Sequence, residues 1–222
     1  MTGKRKYDQA CAVAHGLDLI GERWALLVVR DLLLGPKRFS DLQAGMSAAS
    51  PDVLAQRLRE LQQAGVVTRR RLPPPAASWI YELTEWGAQL EPVVTELARW
   101  SSRSPSMPYD GPIGVDSLIL SLRPLFDPHV AVGVDTRVGI RLDGQDFRVH
   151  VADGRLEVSR GEAEFPAATL VTDRVTFAAL LWRRQRLSEA VKAESAHVTG
   201  NSALLNRFLR MFSLPEPAAA IS

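Results

Sequence analysis

Ser50, Asp52, Val53, Gln56 and Arg59 lie close together in the chain, and Arg69-Arg70-Arg71 follows shortly after them. These groups hydrogen-bond and neutralise charge rather than make or break covalent bonds. A glutamine such as Gln56 can meet adenine bidentately, an arginine such as Arg59 can meet guanine, and a valine such as Val53 can meet a thymine methyl. Three consecutive arginines suit phosphate, whose contacts give affinity and register rather than sequence choice. The residue types therefore point to nucleic-acid recognition. Catalytic chemistry is thinly represented. His15, His129, His150 and His197 are scattered, with no cysteine partner and no metal-ligand spacing. No glycine-rich loop is built to cradle a phosphate. No enzyme, metal or cofactor is expected.

The elements that must position these groups occupy residues 38–83. Ser50-Pro51-Asp52 is a helix start, with serine as cap, proline in the first turn and an acid at the positive helix end. The helix runs to about Ala64 and Gly65 closes it. At ~100° per residue, Leu58 and Leu61 fall within about 40° of Leu54, so these three form the packed face. Asp52, Val53, Gln56, Arg59 and Gln63 lie opposite. Bases are read by first turns, which singles out Ser50, Asp52, Val53 and Gln56. Arg57 and Arg59 sit on the flanks, within reach of phosphate. A shorter helix at residues 39–43 precedes this one, beside the basic pair Lys37-Arg38. Residues 24–34, almost continuously apolar, form the buried helix beneath, closed by Gly35-Pro36. Residues 66–72 and 79–83 read as two strands joined by the stiff tip Pro73-Pro74-Pro75. In a strand Arg69 and Arg71 share a face and Arg70 opposes them. The order is a helix-turn-helix followed by a β-hairpin wing. A solvated polar face is the ordinary fate of such a helix; the adjacent basic wing favours DNA.

The rest of the chain reads as ordinary globular protein. Its 222 residues are 46% hydrophobic and 23% charged. No run approaches the ~20 apolar residues of a membrane span, and the start of the chain shows no signal peptide. The single cysteine, Cys11, fits a reducing cytoplasm. Net charge is only +2, with 14 Lys/Arg against 11 Asp/Glu in residues 1–105 and 13 against 14 in residues 106–222. Local clusters therefore matter more than the total: Lys4-Arg5-Lys6, Lys37-Arg38 and Arg69-Arg70-Arg71. Arginines number 23 and lysines 4, a bias that a GC-rich genome also produces.

Residues 101–112, rich in Ser, Pro and Gly, read as a linker. The expected domains are residues 1–104 and 113–214, with a frayed tail after residue 214. Thr84 caps a long helix over residues 85–100, with Leu90, Val93, Val94, Leu97 and Trp100 on one stripe. The second half is α+β. A helix over residues 115–126 precedes strands at 130–134, 138–142, 147–151, 155–158 and 168–172, with hairpin turns at Asp143-Gly144 and Asp153-Gly154. Helices follow at 174–182, 187–193 and 202–212. The fold class is α+β: a winged helix-turn-helix, then an antiparallel sheet covered by helices.

Two resemblances sharpen this reading. The segments Leu19-Ile20-Gly21-Glu22-Arg23-Trp24, Leu33 to Leu42 (LLGPKRFSDL), Leu54-Ala55-Gln56-Arg57-Leu58 and Tyr81-Glu82-Leu83-Thr84, with Cys11 and Gly87, resemble the HxlR-type winged-helix transcription regulators over residues 7–100. The resemblance implies a homodimer joined through the N-terminal helix and the helix after the wing. Asp52 departs from it, standing where the family often has a basic residue, and the tip is uncharged. Cys11 matches a position where some relatives carry a redox-sensing thiol; the alternative is a buried apolar cysteine in an interface helix.

Residues 147–212, through Val151 to Leu156 (VADGRL), Pro166 to Thr172 (PAATLVT), Phe177 to Leu181 (FAALL) and Val198-Thr199-Gly200-Asn201, resemble the sterol carrier protein type 2 (SCP-like) fold. That resemblance implies an apolar tunnel walled by Phe126, Leu180, Trp182, Leu204, Phe208 and Phe212; the alternative is that these fill the core. Together the readings imply a cytoplasmic homodimer that binds a pseudo-palindromic operator on double-stranded DNA, with an apolar small-molecule effector and no membrane partner. Repression is expected because a dimer on a promoter blocks polymerase. The alternative is a lipid or hydrophobic-ligand carrier whose winged helix serves dimerisation or protein interaction.

Overall fold

The computed structural model describes residues 6–219 apart from Ala76 and Asp110. The chain packs as two compact units, Met1–Val94 and Thr95–Ser222.

The first unit opens with α1 (Ala12–Ile20) and α2 (Ala25–Leu32). It continues through β1 (Lys37–Arg38), α3 (Phe39–Gly45), α4 (Pro51–Gln63), β2 (Val67–Arg71), β3 (Trp79–Leu83) and α5 (Glu85–Ala88). α6 (Glu91–Ser101) then carries the chain across the division between the units. The three strands form a small antiparallel sheet in the order β1-β3-β2. Val28 and Val29 of α2, Leu42 of α3, and Leu54, Leu58 and Leu61 of α4 are essentially sealed from solvent in one core. Each such side chain contributes roughly 1.5–3 kcal/mol, so the seating of α4 on α2 is fixed by the packing the wheel demanded.

Two local differences from the sequence reading have clear causes. α2 starts at Ala25 because Trp24 takes a left-handed φ of 78°. The helix expected over 85–100 is broken into α5 and α6, because Pro92 has no N–H to carry helical bonding across the join. Thr84 ties this corner down. Its hydroxyl donates to the Gly65 carbonyl (2.7 Å) and accepts from the Gly87 N–H (2.9 Å). A Cβ on Gly87 would lie 2.0 Å from the Val66 carbonyl oxygen, so only glycine fits there.

The second unit contains α7 (Val115–Leu120), α8 (Leu122–Leu125), β4 (Thr136–Leu142), β5 (Gln145–Ala152), β6 (Arg155–Arg160) and β7 (Ala168–Thr172). It closes with α9 (Arg174–Leu181), α10 (Leu187–Lys192), β8 (Ala196–Gly200) and α11 (Ser202–Leu209). The five strands run in the order β6-β5-β4-β7-β8. Asp143-Gly144 and Asp153-Gly154 make the two tight hairpins, all four residues at positive φ as a type I′ turn requires. Period-two alternation buries Val138, Ile140, Leu142, Phe147, Val149 and Val151, while Arg137, Arg141 and Arg148 stand on the opposite, exposed face.

The sheet is mixed rather than wholly antiparallel. β4 and β7 pair in parallel because β6 ends level with the end of β4 and residues 161–167 then carry the chain back to its start, where Ala168 pairs with Val138. β8, not foreseen from the sequence, pairs with β7 at one edge. The strand expected at residues 130–134 is instead a run of turns, with Gly133 at φ 67° and Val132 exposed. Pro124 lies in the short helix α8 that follows α7, where one helix over 115–126 was expected.

Candidate nucleic-acid interface

α3 and α4 are joined by a tight connection. Gln43 Nε2 donates to the Ala49 carbonyl (2.7 Å), and the Ala49 N–H donates to Met46 (2.8 Å). Ser50 then caps α4, its hydroxyl accepting from the Val53 N–H at 3.4 Å. Asp52, Val53, Gln56 and Arg59 are all exposed on the face away from the core. This is the arrangement a groove-reading helix needs, with polar side chains outward and leucines inward.

The exposed groups are already linked to one another. Arg59 Nη2 donates to Gln56 Oε1 (2.7 Å), and Gln56 Nε2 donates to Glu60 Oε1 (2.7 Å). Both ends of the Gln56 amide are thus engaged along the helix, and a base must displace them to be read.

Arg57 is placed differently from expectation. It lies about 60° from Leu54 on the wheel, and its side chain is only 11% exposed. It pairs with Glu60 and lies 3.5 Å from Glu22. Its inward flank, not its charge, decided its place, and it fastens α4 to the segment before α2 instead of reaching outward. Glu60, unremarked in the sequence reading, is the hub for both Arg57 and Gln56. An acid three residues after one and four after the other was the available signal.

The wing sorts its arginines. Arg70 Nε donates to Glu82 at 2.7 Å, so that charge is matched. Arg69 lies across the ladder from Tyr81, and Arg71 from Trp79. The Arg69 guanidinium sits 4.3 Å from the Trp79 ring and 5.7 Å from the Tyr81 ring. Stacking leaves its hydrogen-bonding edge available while limiting its motion. Arg71 Nε donates to the Ala77 carbonyl at a long 3.4 Å. Trp79, beside Arg69, was not singled out from the sequence. Reading the hairpin register would have placed it opposite Arg71, one diagonal step from Arg69. Arg38, exposed on β1 of this same sheet, pairs with Ile80, and its N–H donates to Asp41 as α3 begins. Lys4 and Arg5 of the expected basic cluster lie outside the described residues, as does Ala76 of the wing tip.

Cys11 stands immediately before α1 and is exposed rather than buried. The Ala14 and Val13 N–H groups facing its sulfur hold the thiol below its ordinary value. On α1, Val13 and Leu17 are exposed one turn apart; on α6, Val93, Leu97 and Trp100 are exposed at helical spacing, Trp100 at 76%. A hollow of about 230 Å³ is lined by Gly16, Leu19, Ile20, Val66, Trp86, Gln89 and Leu90.

Of the six expected tunnel residues in the second unit, Leu180, Phe208 and Phe212 are buried and Phe126, Trp182 and Leu204 are partly buried. Phe208 and Phe212 are fully buried with rings 5.0 Å apart, and Phe126 packs on Phe212 at 6.0 Å. Leu180 is buried in α9, and Leu204 is partly buried on α11. Trp182, also partly buried, meets Tyr109 edge-on at 5.6 Å. A hollow of about 270 Å³ on the sheet's other face is lined by none of them.

Comparison with known proteins divides the chain in a similar way. The HxlR-like helix-turn-helix family matches residues 19–107, and the alkyl sulfatase C-terminal family matches residues 125–221. The HTH-type transcriptional regulator YodB of Bacillus subtilis (strain 168) is 39% identical over 85 residues, 38% of this chain and 76% of YodB. YvaP of the same organism, an uncharacterized HTH-type transcriptional regulator, is 37% identical over 86 residues, 39% of this chain and 80% of YvaP. The stereoselective inverting sec-alkylsulfatase Pisa1 from Pseudomonas sp. aligns with 48% of this chain and 17% of its own, at 21% identity and a TM-score of 0.42. No helix among the described residues is long and apolar enough to cross a membrane. With an α3–α4 pair, a wing behind it, and curated relatives matched over most of their length, the chain belongs to the HxlR-like helix-turn-helix family of transcriptional regulators.

Proposed function

We propose that the protein is a cytoplasmic, homodimeric repressor that binds a pseudo-palindromic operator through residues 1–104. The observation that carries this reading is the pairing of an outward polar face on α4 with a wing whose Arg69 is stacked and oriented. Ser50, Asp52, Val53 and Gln56 meet base edges in the major groove. Arg38, Arg59, Arg69 and Arg71 meet phosphate. Arg57 leaves this set because its charge is spent on Glu60 and Glu22. The exposed apolar residues of α1 and α6 support dimerisation through those helices, which would set the two α4 helices about one DNA turn, ~34 Å, apart or a multiple of it.

Residues 113–214 form the responsive domain. Its helix-covered sheet supports the sterol-carrier-like resemblance, with an apolar small molecule as effector. Coupling of that kind is typically ~1–3 kcal/mol. Cys11 offers a second input: an exposed thiol with a lowered titration point suits oxidation better than a buried one does.

The test is a gel shift of the purified protein on its own upstream intergenic DNA with excess competitor. A specific, salt-sensitive shift supports the reading. Gln56→Ala should then change preference at one base pair by about 1–3 kcal/mol and leave the fold intact. A folded dimer with no specific shift would transfer weight to the hydrophobic-ligand carrier.

A further inference from the structure

We propose that the exposed face of the C-terminal sheet holds a binding site for a small organic monoanion, a carboxylate or a sulfate ester. Arg137 on β4, Arg148 and His150 on β5, and Glu157 and Ser159 on β6 stand on the same face of three adjacent strands. The register pairs Arg137 with His150, His150 with Glu157, and Arg148 with Ser159. With Val149, and with Ala163 and Glu164 from the segment after β6, they line the hollow of about 270 Å³. Drug-sized pockets begin at roughly 300 Å³, so the ligand is small.

The arginines on this face are not equivalent. Arg141, also on β4, is committed outside the hollow: it donates to both Asp146 oxygens (2.7 and 3.1 Å) and to Glu162 (3.4 Å). Arg148 donates Nε to Ser159 Oγ at 2.7 Å, which orients its guanidinium and leaves the terminal nitrogens without an acceptor among the described residues. The Arg137 side chain has no acceptor among the described residues. Two arginines with open guanidinium donors line one hollow, and guanidinium donors match the planar or tetrahedral edge of an oxyanion.

His150 completes the wall. Its Nε2 lies 2.9 Å from Asp135 Oδ1, and its Nδ1 lies 4.0 Å from Glu157 Oε2. The Asp135 and Glu157 side chains are each 80% exposed, so water screens them from a bound anion. Glu157 and Glu164 also line the hollow and weigh against a multiply charged ligand, which is why a monoanion is the class proposed. The site is separate from the buried aromatic cluster and stands whether or not the DNA-binding reading does.

Isothermal titration of the full chain with sodium benzoate and with sodium methyl sulfate, against choline chloride as the cationic control, tests it. Saturable binding of either anion at one site per chain is expected, and the arm that binds distinguishes carboxylate from sulfate ester. Arg137→Ala should weaken it by about ten-fold or more, the worth of a charge-assisted pair. Arg141→Ala should leave it nearly unchanged. Both changes lie on an exposed sheet face, and thermal melting checks that each variant is folded. Absence of anion binding, equal binding of choline, or equal loss in the two variants would overturn the proposal.

Discussion

The molecule has two arginine-bearing β-ladders, and they treat the same side chain in opposite ways. In the wing, Arg69 stands among aromatics, Tyr81 across the ladder and Trp79 on the diagonal. In the C-terminal sheet, Arg141 stands opposite Asp146 and is bound to both of its oxygens. An aromatic partner orients a guanidinium without consuming its charge, whereas a carboxylate consumes it. The wing contains both cases, since Arg70 is held by Glu82. What lies across the ladder, not the arginine itself, decides whether the charge is available to a polyanion.

The largest expected effect comes from a carboxylate-held arginine inside the first unit. Arg57→Ala removes the partner of Glu60, whose side chain is only 19% exposed, and frees Glu22. Breaking a fully buried pair costs about 3–5 kcal/mol; with both partners still touching water, about 1–3 kcal/mol is expected in urea unfolding. Arg59→Ala, exposed on the same helix, should cost only about 0.5 kcal/mol or less. Equal losses in the two variants would break the distinction between fastening and presenting arginines.

That distinction also marks what could be read from the sequence. The helix-turn-helix was legible because its signals are local and agree: Ser50-Pro51 starts a helix and three leucines share one face of it. On the wheel Arg57 lies about 60° from Leu54 and Arg59 about 140°, so periodicity already separates them; that Arg57 also meets Glu22, distant in sequence, was beyond its reach. In the wing, alternation separated Arg70 from Arg69 and Arg71, but choosing the occupied one required knowing that Glu82 lies beside Arg70 across the hairpin. In the second unit the hairpins were announced by their Asp-Gly turns. The parallel β4–β7 pairing and β8 were not, because both rest on long-range pairing. The valines of residues 130–134 alternate like a strand yet pair with no strand among the described residues, and Gly133 at φ 67° turns the chain there.

The wing offers the next comparison. Arg69→Ala should weaken binding to every DNA sequence about ten-fold at moderate salt and reduce the slope of log affinity against log salt by about 1. Arg70→Ala should change both far less, because Glu82 already holds its charge. Fluorescence anisotropy across a salt series reads the two together. A steeper loss for Arg70 would mean that the opposite face of the wing meets the phosphates.

α4 of the first unit and α9 of the second also begin differently. Ser50 caps α4 through one long bond. Asp173 caps α9 through bonds from the Val175 N–H (2.8 Å), the Thr176 N–H (2.9 Å) and the Thr176 hydroxyl (2.7 Å). Partial burial pushes the Asp173 carboxyl upward, but the bonds from Thr176 and Val175 outweigh it and hold the group below its ordinary value. A carboxyl depressed in the folded state stabilises above its unfolded value, near pH 4, and loses that contribution as pH falls through the folded value. Asp173→Ala should therefore cost about 1 kcal/mol at neutral pH, with the gap from the parent closing below pH ~4. Ser50→Ala should show no such convergence. Thermal melts at several pH values decide it.

The smallest effect is the most direct probe of the ladder comparison. If Trp79 acts by orienting Arg69, Trp79→Leu keeps an apolar neighbour but removes the ring face, and should weaken DNA binding by about 0.5–1 kcal/mol, the worth of an exposed cation–π contact. The loss should disappear in the Arg69→Ala background, because the two residues act through one guanidinium. Trp79→Phe should retain part of the affinity. A loss that persists without Arg69 would instead assign Trp79 its own contact with DNA, since at 49% exposure its ring has an open edge. The aromatic would then be a reader in its own right, and the wing's difference from the C-terminal ladder would lie in the ring as much as in the charge it orients.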